Sequence, residues 1–173
     1  MKTIIRVACF TIVCSILPVE TGVAQSRTAG CTSENSANAT QTLRCDGGLA
    51  IVAEDNARYF LRHRAGGRSV ESVELDSKAL LIDVPKKPGG NIFRVITPQA
   101  IAAVRGTKWA VDAAENKSSV FVVSGRVVVD RRNGVSGVTL GPGEGVDVEA
   151  RGPLTVKRWP PERVSALMAR LGQ

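Results

Sequence analysis

The sequence contains one pair of carboxylates whose spacing could support acid–base chemistry. Asp147 and Glu149 are separated by a single residue, so on a β-strand both side chains would project from the same face. Two neighbouring carboxylates are the minimum for general acid–base catalysis or for a weak calcium contact. Because no other catalytic group accompanies them in the sequence, we interpret the pair as a solvated carboxylate face.

Other catalytic residue types are scarce in this chain. The only histidine among 173 residues is His63, and one imidazole cannot build a zinc or iron site that needs two or three. Its neighbours Arg62 and Arg64 oppose its protonation, so we read it as a surface histidine. Ser136 lies in a turn one residue away from nucleophile-elbow spacing, and the sequence has no phosphate-binding loop or zinc-protease motif. We therefore predict a protein that is not an enzyme and uses no cofactor or metal.

The first 24 residues have the pattern of a secretory signal. Lys2 and Arg6 precede an apolar run over residues 7–19, and small residues follow up to Ala24. The alternative is an uncleaved membrane anchor, but the run is shorter than the ~20 residues that a spanning helix needs. We expect cleavage after Ala24 and a periplasmic location.

Cysteine usage agrees with export. Cys9 and Cys14 lie in the signal segment, which leaves Cys31 and Cys45 as an even pair. An oxidising compartment is expected to join them, and a loop of this length predicts a stabilisation of about 3 kcal/mol. A metal pair would need additional ligands that residues 31–45 do not offer.

The composition suits one modest domain built mainly from strands. Hydrophobic residues make up 43% of the chain and aromatic residues 4%, and the formal net charge is +7. Residues 25–48 are polar and are predicted to form an N-terminal arm, while residues 49–158 consist of short apolar runs separated by turn residues. The fold class is predicted to be all-β, either a β-sandwich or an irregular β-solenoid of short strands, with a short C-terminal helix. The strand order cannot be read from the pattern.

Three segments allow more detailed predictions. Residues 73–84 alternate in polarity on either side of Asp76–Lys78, which predicts a half-buried hairpin with its turn at those residues. The continuous apolar runs at residues 120–123 and 127–129 predict strands covered on both faces. In residues 159–173 an apolar stripe at helical spacing predicts an amphipathic helix. That helix either packs on the β core, with Trp159 as a latch, or binds a partner.

One ordered set of motifs resembles the core signature of the FecR domain family. The set covers Phe93–Ala100, Ala103–Val111, Val120–Val122, Gly125–Val129 and Leu140–Glu144, or about residues 91–148. The family is named for periplasmic regulators of ferric-siderophore transport, and the resemblance implies an all-β extracytoplasmic module that contacts other proteins during envelope signalling. Regulators of the family place an anti-sigma segment and a membrane helix before this domain. With a secretory signal in that place, we expect a stand-alone secreted module here.

The signature residues also have structural interpretations of their own. Pro98 restricts Thr97 to extended backbone. Gly106 permits a sharp bend, which Arg105 and Thr107 could stabilise by hydrogen bonds, and Gly125 permits a tight corner. We read Arg105–Thr107 as structural, with ligand contact as the alternative.

Clusters of basic residues suggest a second class of partner. Arg126, Arg131 and Arg132 are predicted to contact a polyanion such as an anionic envelope glycan or lipid. Nucleic acid is not expected, because the predicted location is wrong and aromatic residues for base stacking are sparse. The sequence thus predicts a non-enzymatic periplasmic module that binds an envelope protein, with polyanion binding as the alternative.

Overall fold

A computed structural model describes residues 27–36, 40–89, 91–134 and 137–173. These residues form strands and one C-terminal helix, so the predicted all-β class is confirmed. The predicted signal segment and Ser136 lie outside the described residues. In chain order the elements are β1 (Arg27–Thr28), β2 (Cys31–Asn35), β3 (Gln41–Cys45), β4 (Ala50–Ala53), β5 (Arg58–His63), β6 (Val70–Asp83), β7 (Phe93–Ile96), β8 (Ala100–Val104), β9 (Lys108–Ala113), β10 (Lys117–Ser124), β11 (Val127–Arg131), β12 (Gly137–Leu140), β13 (Glu144–Glu149), β14 (Lys157–Arg158) and α1 (Pro161–Arg170).

The strands make one curled sheet with two arms that share β6. The first arm has the order β1-β2-β3-β4-β6-β9-β10-β13-β14, and the second has the order β5-β6-β7-β8-β11-β12. Among the described residues, β6 and β7 form the one parallel pair, and the other neighbours run antiparallel. Because antiparallel pairing dominates, the arrangement is closer to the predicted sandwich than to a solenoid, whose successive coils are parallel.

The two arms enclose a common hydrophobic core. Side chains alternate across each strand, so every second residue points between the arms. The first arm contributes Leu80, Ile82, Trp109 and Val111, and the second contributes Val73, Val95, Val104 and Val129 to the same buried cluster. Both arms therefore present an opposite, outward face to their surroundings.

The predicted hairpin at residues 73–84 is wrong, because β6 is a single strand of 14 residues. Val73 and Leu75 point into the core before Lys78, whereas Leu80 and Ile82 do so after it. The phase of the alternation therefore shifts, and Lys78 takes up the shift with a positive φ of 71°. Each half of β6 pairs with different strands, which keeps the chain extended where the sequence indicated a turn.

The described part of the N-terminal arm predicted over residues 25–48 consists mainly of strands. Strands β1, β2 and β3 lie within it, and β3 pairs with β4 in the first arm. Ser33, Thr40 and Leu43 are buried there. Ser33 fills a position opposite Leu43 that the apolar pattern failed to mark, and pairing of β3 with β4 supplies backbone hydrogen bonds.

The predicted C-terminal helix is confirmed, and it packs on the protein's own sheet. Pro161 occupies a first helical position, which suits a residue without an N–H group. Leu167 and Leu171 are buried against the outward face of the first arm, together with Trp159 and Phe121. Within the described ranges no helix has the length and apolar character needed to cross a bilayer.

Candidate interaction surface

The first part of the family signature forms a buried turn between β7 and β8. The Thr97 hydroxyl accepts a hydrogen bond from the Ala100 N–H at 2.8 Å, and the Ser118 hydroxyl oxygen lies 2.7 Å away. Thr97 is 2% exposed, whereas Pro98 is exposed beside it. These contacts join the turn to β10, which gives Thr97 a structural role.

The second part of the signature lies where the chain crosses between the arms. Thr107 follows the β8–β9 crossover and Gly125 forms the β10–β11 crossover. The Thr107 hydroxyl donates to the Arg126 carbonyl at 3.0 Å and accepts from the Arg126 N–H at 3.3 Å. A Cβ on Gly125, whose φ is +93°, would lie 2.7 Å from the Thr107 hydroxyl oxygen. The hydrogen bonds of Thr107 thus link the two crossovers. Arg105 is exposed, and its side chain makes no hydrogen bond among the described residues.

The outward face of the second arm is uncovered, and we call it the open face. Pairing of β6, β7, β8, β11 and β12, with β5 at the edge, places every second residue of these strands side by side on this face. The members of the open face are Phe60, Arg62, Glu74, Arg94, Ile96, Ile101, Ala103, Val128, Asp130 and Thr139.

A continuous apolar strip runs through the centre of the open face. Ile96 is opposite Ile101, and Ala103 is opposite Val128. Val128 is 44% exposed, and the other three residues of the strip are half-buried. Phe60 at the β5 edge is 59% exposed, and Glu74 separates it from the strip. The prediction that residues 127–129 are covered on both faces is therefore wrong, because Val127 and Val129 are buried and Val128 is not. The prediction for residues 120–123 is confirmed at Val120–Val122, where Phe121 packs under α1. It is wrong at Val123, which is 39% exposed.

Charged groups at the β5 edge of the open face are already paired. The Arg62 guanidinium donates two hydrogen bonds of 3.0 Å to the Glu74 carboxylate. These hydrogen bonds hold the pKa of Glu74 below its ordinary value. This edge of the open face is therefore internally neutralised.

The three arginines predicted to contact a polyanion do not form one cluster. Arg126 is exposed at the start of β11, whereas Arg131 and Arg132 lie at its far end. Arg131 donates to the carbonyls of Glu149 and Gly152 at 3.0 and 2.6 Å, and Arg132 donates to the Thr97 carbonyl at 3.1 Å. The sequence prediction missed these backbone contacts, since they join residues distant along the chain.

In contrast to the open face, the outward face of the first arm is covered by α1. The Arg163 guanidinium lies 3.5 Å from the centre of the Trp159 ring, which stacks on Phe121 at 5.1 Å. At the end of the helix, Arg170 donates to Glu54 and Asp112, which raises its pKa. Aromatic stacking and ion pairs thus hold the helix in place, as the latch interpretation of Trp159 predicted.

The prediction of a solvated carboxylate face holds for Glu149, which is exposed, but not for Asp147, which is half-buried. Asp147 accepts hydrogen bonds from Arg163 at 3.0 Å and from the Ser119 hydroxyl at 2.6 Å. Burial would raise the pKa of Asp147, but these hydrogen bonds hold it below its ordinary value. Both carboxylates line a cleft of about 210 Å³ beside Trp159, but the Asp147 carboxylate is occupied by structural partners.

The remaining predicted residues have clear positions. Cys31 and Cys45 are opposite each other on β2 and β3 and form the predicted disulfide, with Cα atoms 3.9 Å apart. His63 places its Nε2 atom 2.7 Å from the Ala29 carbonyl oxygen, near the surface. No group of three potential metal-ligating side chains occurs in the part of the chain that the structure describes.

Comparison with known proteins gives one family match and three matching chains among solved structures, two of which are described here. Residues 32–128 match the family model described as FecR protein. A 1.65 Å crystal structure of a proposed anti-sigma factor from Parabacteroides distasonis aligns with a TM-score of 0.58 and 23% identity, covering 75% of this chain and 60% of the other. A second such structure, at 2.50 Å from the same organism, aligns with a TM-score of 0.52 and 20% identity, covering 84% and 63%. The chain thus spans less than two thirds of either structure, and no curated protein sequence matches it.

Proposed function

Because the chain belongs to the FecR family over residues 32–128, we propose that it is a regulatory signalling module that contacts an envelope protein outside the cytoplasm. The match begins well before the signature predicted over residues 91–148, so the N-terminal strands are part of the family domain. The two structural relatives are described as proposed anti-sigma factors. We adopt the broader regulatory role, with the open face as the binding surface.

The observation that carries this proposal is the difference between the two outward faces. The face of the first arm is apolar and is covered by α1, whereas the open face carries an apolar strip with no covering element in the described residues. Water contact with such a strip is unfavourable, and burial against a partner gains about 25 cal/mol for each Å² of apolar area. A partner protein would cover the apolar strip of the open face, as α1 covers the apolar face of the first arm.

The chemistry of the site favours binding over catalysis. Thr97 and Thr107, the two threonines named in the signature, are both 2% exposed and hydrogen-bond the protein's own backbone. Asp147 is held by Arg163 and Ser119. The residue types that could react are thus used to build the fold, which supports a non-enzymatic role.

Export is the part of the proposal that comes from the sequence alone. Fractionation of cells that produce a C-terminally tagged precursor should release the protein with the periplasmic contents. Intact-mass measurement should give a chain beginning at Gln25. Recovery of the unprocessed chain from the cytoplasm would refute the periplasmic location.

The binding role is tested by in-cell crosslinking of the tagged precursor and mass spectrometry of the captured proteins. The variant Val128→Glu places a charge in the apolar strip, and Ile101→Glu does so on the adjacent strand. Ala166→Glu, on the exposed side of α1, is the matched control. We expect one reproducible envelope partner to be lost in both open-face variants and kept in the control.

The folded state of each variant must be verified by circular dichroism and thermal denaturation. If the folded open-face variants capture the same proteins as the control, the open face is not the binding surface. If neither they nor the unmodified protein captures an envelope protein, the interaction role itself is refuted.

A further inference from the structure

A contact at the crossover end of the sheet brings separate basic segments together. Gly106 has a φ of +65°, and a Cβ on it would lie 2.8 Å from the Cβ and 2.9 Å from the Cα of Lys86. The segment after β6 therefore rests directly on the β8–β9 crossover. The Val84 N–H donates to the Thr107 carbonyl at 3.0 Å and fixes this approach. As a result, Lys86 lies beside the residue that precedes Gly106, which is Arg105.

This approach gathers cations from three connections between strands. The Thr107–Arg126 hydrogen bonds place Arg126 at the same crossover, and Lys108 begins β9 immediately after it. We call the set Lys86, Lys87, Arg105, Lys108 and Arg126 the cationic end. Four of the five side chains are exposed, and Lys108 is half-buried.

The side chains of the cationic end form no ion pair within the described residues, although Asp46 lines the same cleft as Lys87. Ion pairs in the described part of the chain use other cations, namely Arg62, Arg68, Lys78, Arg163 and Arg170. Asp83 is the nearest acidic residue in register, opposite Lys108, and the two do not form an ion pair. The far end of β11 differs, because Arg131 and Arg132 there bind backbone carbonyls. The crossover end of the curled sheet thus carries five basic side chains that form no ion pair within the described residues.

An exposed apolar side chain accompanies these charges. Ile92 is 45% exposed and belongs to the same connection between β6 and β7 as Lys86 and Lys87. Basic residues beside an exposed aliphatic residue are the combination by which proteins bind the surface of an anionic bilayer, with charges at the headgroups and the apolar group at the acyl boundary.

We propose that the cationic end binds an anionic phospholipid surface and orients the domain on the membrane. This proposal is independent of the open-face partner, since it uses different residues. It also differs from the polyanion contact predicted from the sequence. Of the three arginines in that prediction, only Arg126 belongs to the cationic end. The attraction is electrostatic, so it must weaken as salt screens the charges.

The test is sedimentation of the purified protein with vesicles made from equal parts of phosphatidylglycerol and phosphatidylcholine. Each cation near an anionic surface increases partitioning about fivefold, so the double variant Lys86→Glu/Arg126→Glu should reduce binding by at least about 25-fold at low salt. Vesicles of phosphatidylcholine alone should bind neither protein.

The matched control is Arg58→Glu/Arg151→Glu, which makes the same change in net charge at exposed positions away from the cationic end. We expect this control to keep most of its vesicle binding. Equal loss in both double variants would show that only net charge matters and would overturn the proposal.

Two other results would also overturn the proposal. One is a purified protein that does not sediment with the anionic vesicles at low salt. The other is binding to purified lipopolysaccharide or to heparin without binding to the phospholipid vesicles, which would assign the cationic end to a polysaccharide instead.

Discussion

Replacement of Gly106 by alanine tests the crossover on which both the fold and the cationic end depend. The backbone φ of +65° costs an L-residue about 1–2 kcal/mol. The new Cβ would also lie 2.8–2.9 Å from Lys86, including its backbone Cα. Contacts of this kind in a packed region add about 1–3 kcal/mol. We therefore expect Gly106→Ala to lower the free energy of unfolding by about 2–5 kcal/mol.

A matched glycine separates the two contributions. Gly66 has a similar φ of +71°, but a Cβ on it meets no atom within 4 Å. Gly66→Ala should cost only the backbone component, about 1–2 kcal/mol. Urea denaturation of both variants with the disulfide intact gives the comparison. If Gly106→Ala is no more destabilising than Gly66→Ala, the close approach of Lys86 is not present in solution.

Three further changes have defined outcomes. Thr107→Val removes a buried hydroxyl and should lower the free energy of unfolding in urea by about 1–3 kcal/mol. Thr139→Val on the open face should change it very little. Equal effects of the two variants would contradict the role of Thr107 in linking the crossovers. The double variant Cys31→Ser/Cys45→Ser should lower the free energy of unfolding by about 3 kcal/mol, and an unchanged midpoint would remove the disulfide from the account. Because the pKa of Asp147 is lowered on folding, its stabilisation is present above its unfolded value of about 3.9 and is lost as the pH falls through the folded value. Asp147→Asn should therefore flatten the loss of stability below about pH 4, and an acid profile identical to that of the unmodified protein would refute this assignment.

Local features of the fold could be predicted from the sequence because their causes are local. The helical stripe ending at Leu171, the proline at its start and the cysteine pair each act within a short stretch of chain. The glycine and threonine residues of the signature also marked the turns and crossovers correctly.

The errors occurred where distant pairing decides the structure. The alternation in β6 shifts phase at Lys78, and a turn and a bulge look alike until the neighbouring strands are known. Ser33 is buried opposite Leu43, and Thr40 is buried beside Gly172 near the C-terminus, which their polarity did not indicate.

The binding surfaces depend even more on tertiary contacts. Arg131 and Arg132 are neighbours of Arg126 in sequence, but backbone carbonyls bind them at the opposite end of β11. Lys86 joins Arg126 only because Gly106 permits the approach. The open face likewise required the register, since Ile101 and Val128 are brought together by strands that are distant in the sequence.

The most direct test of the central claim is site-specific photo-crosslinking in living cells. A photoreactive amino acid replaces Val128 in the apolar strip, or Ala166 on the exposed side of α1, in otherwise identical tagged precursors. The account predicts a discrete adduct with one envelope protein from position 128 and none from position 166. An adduct formed from position 166 alone, or equally from both positions, would contradict the claim that the open face binds the partner.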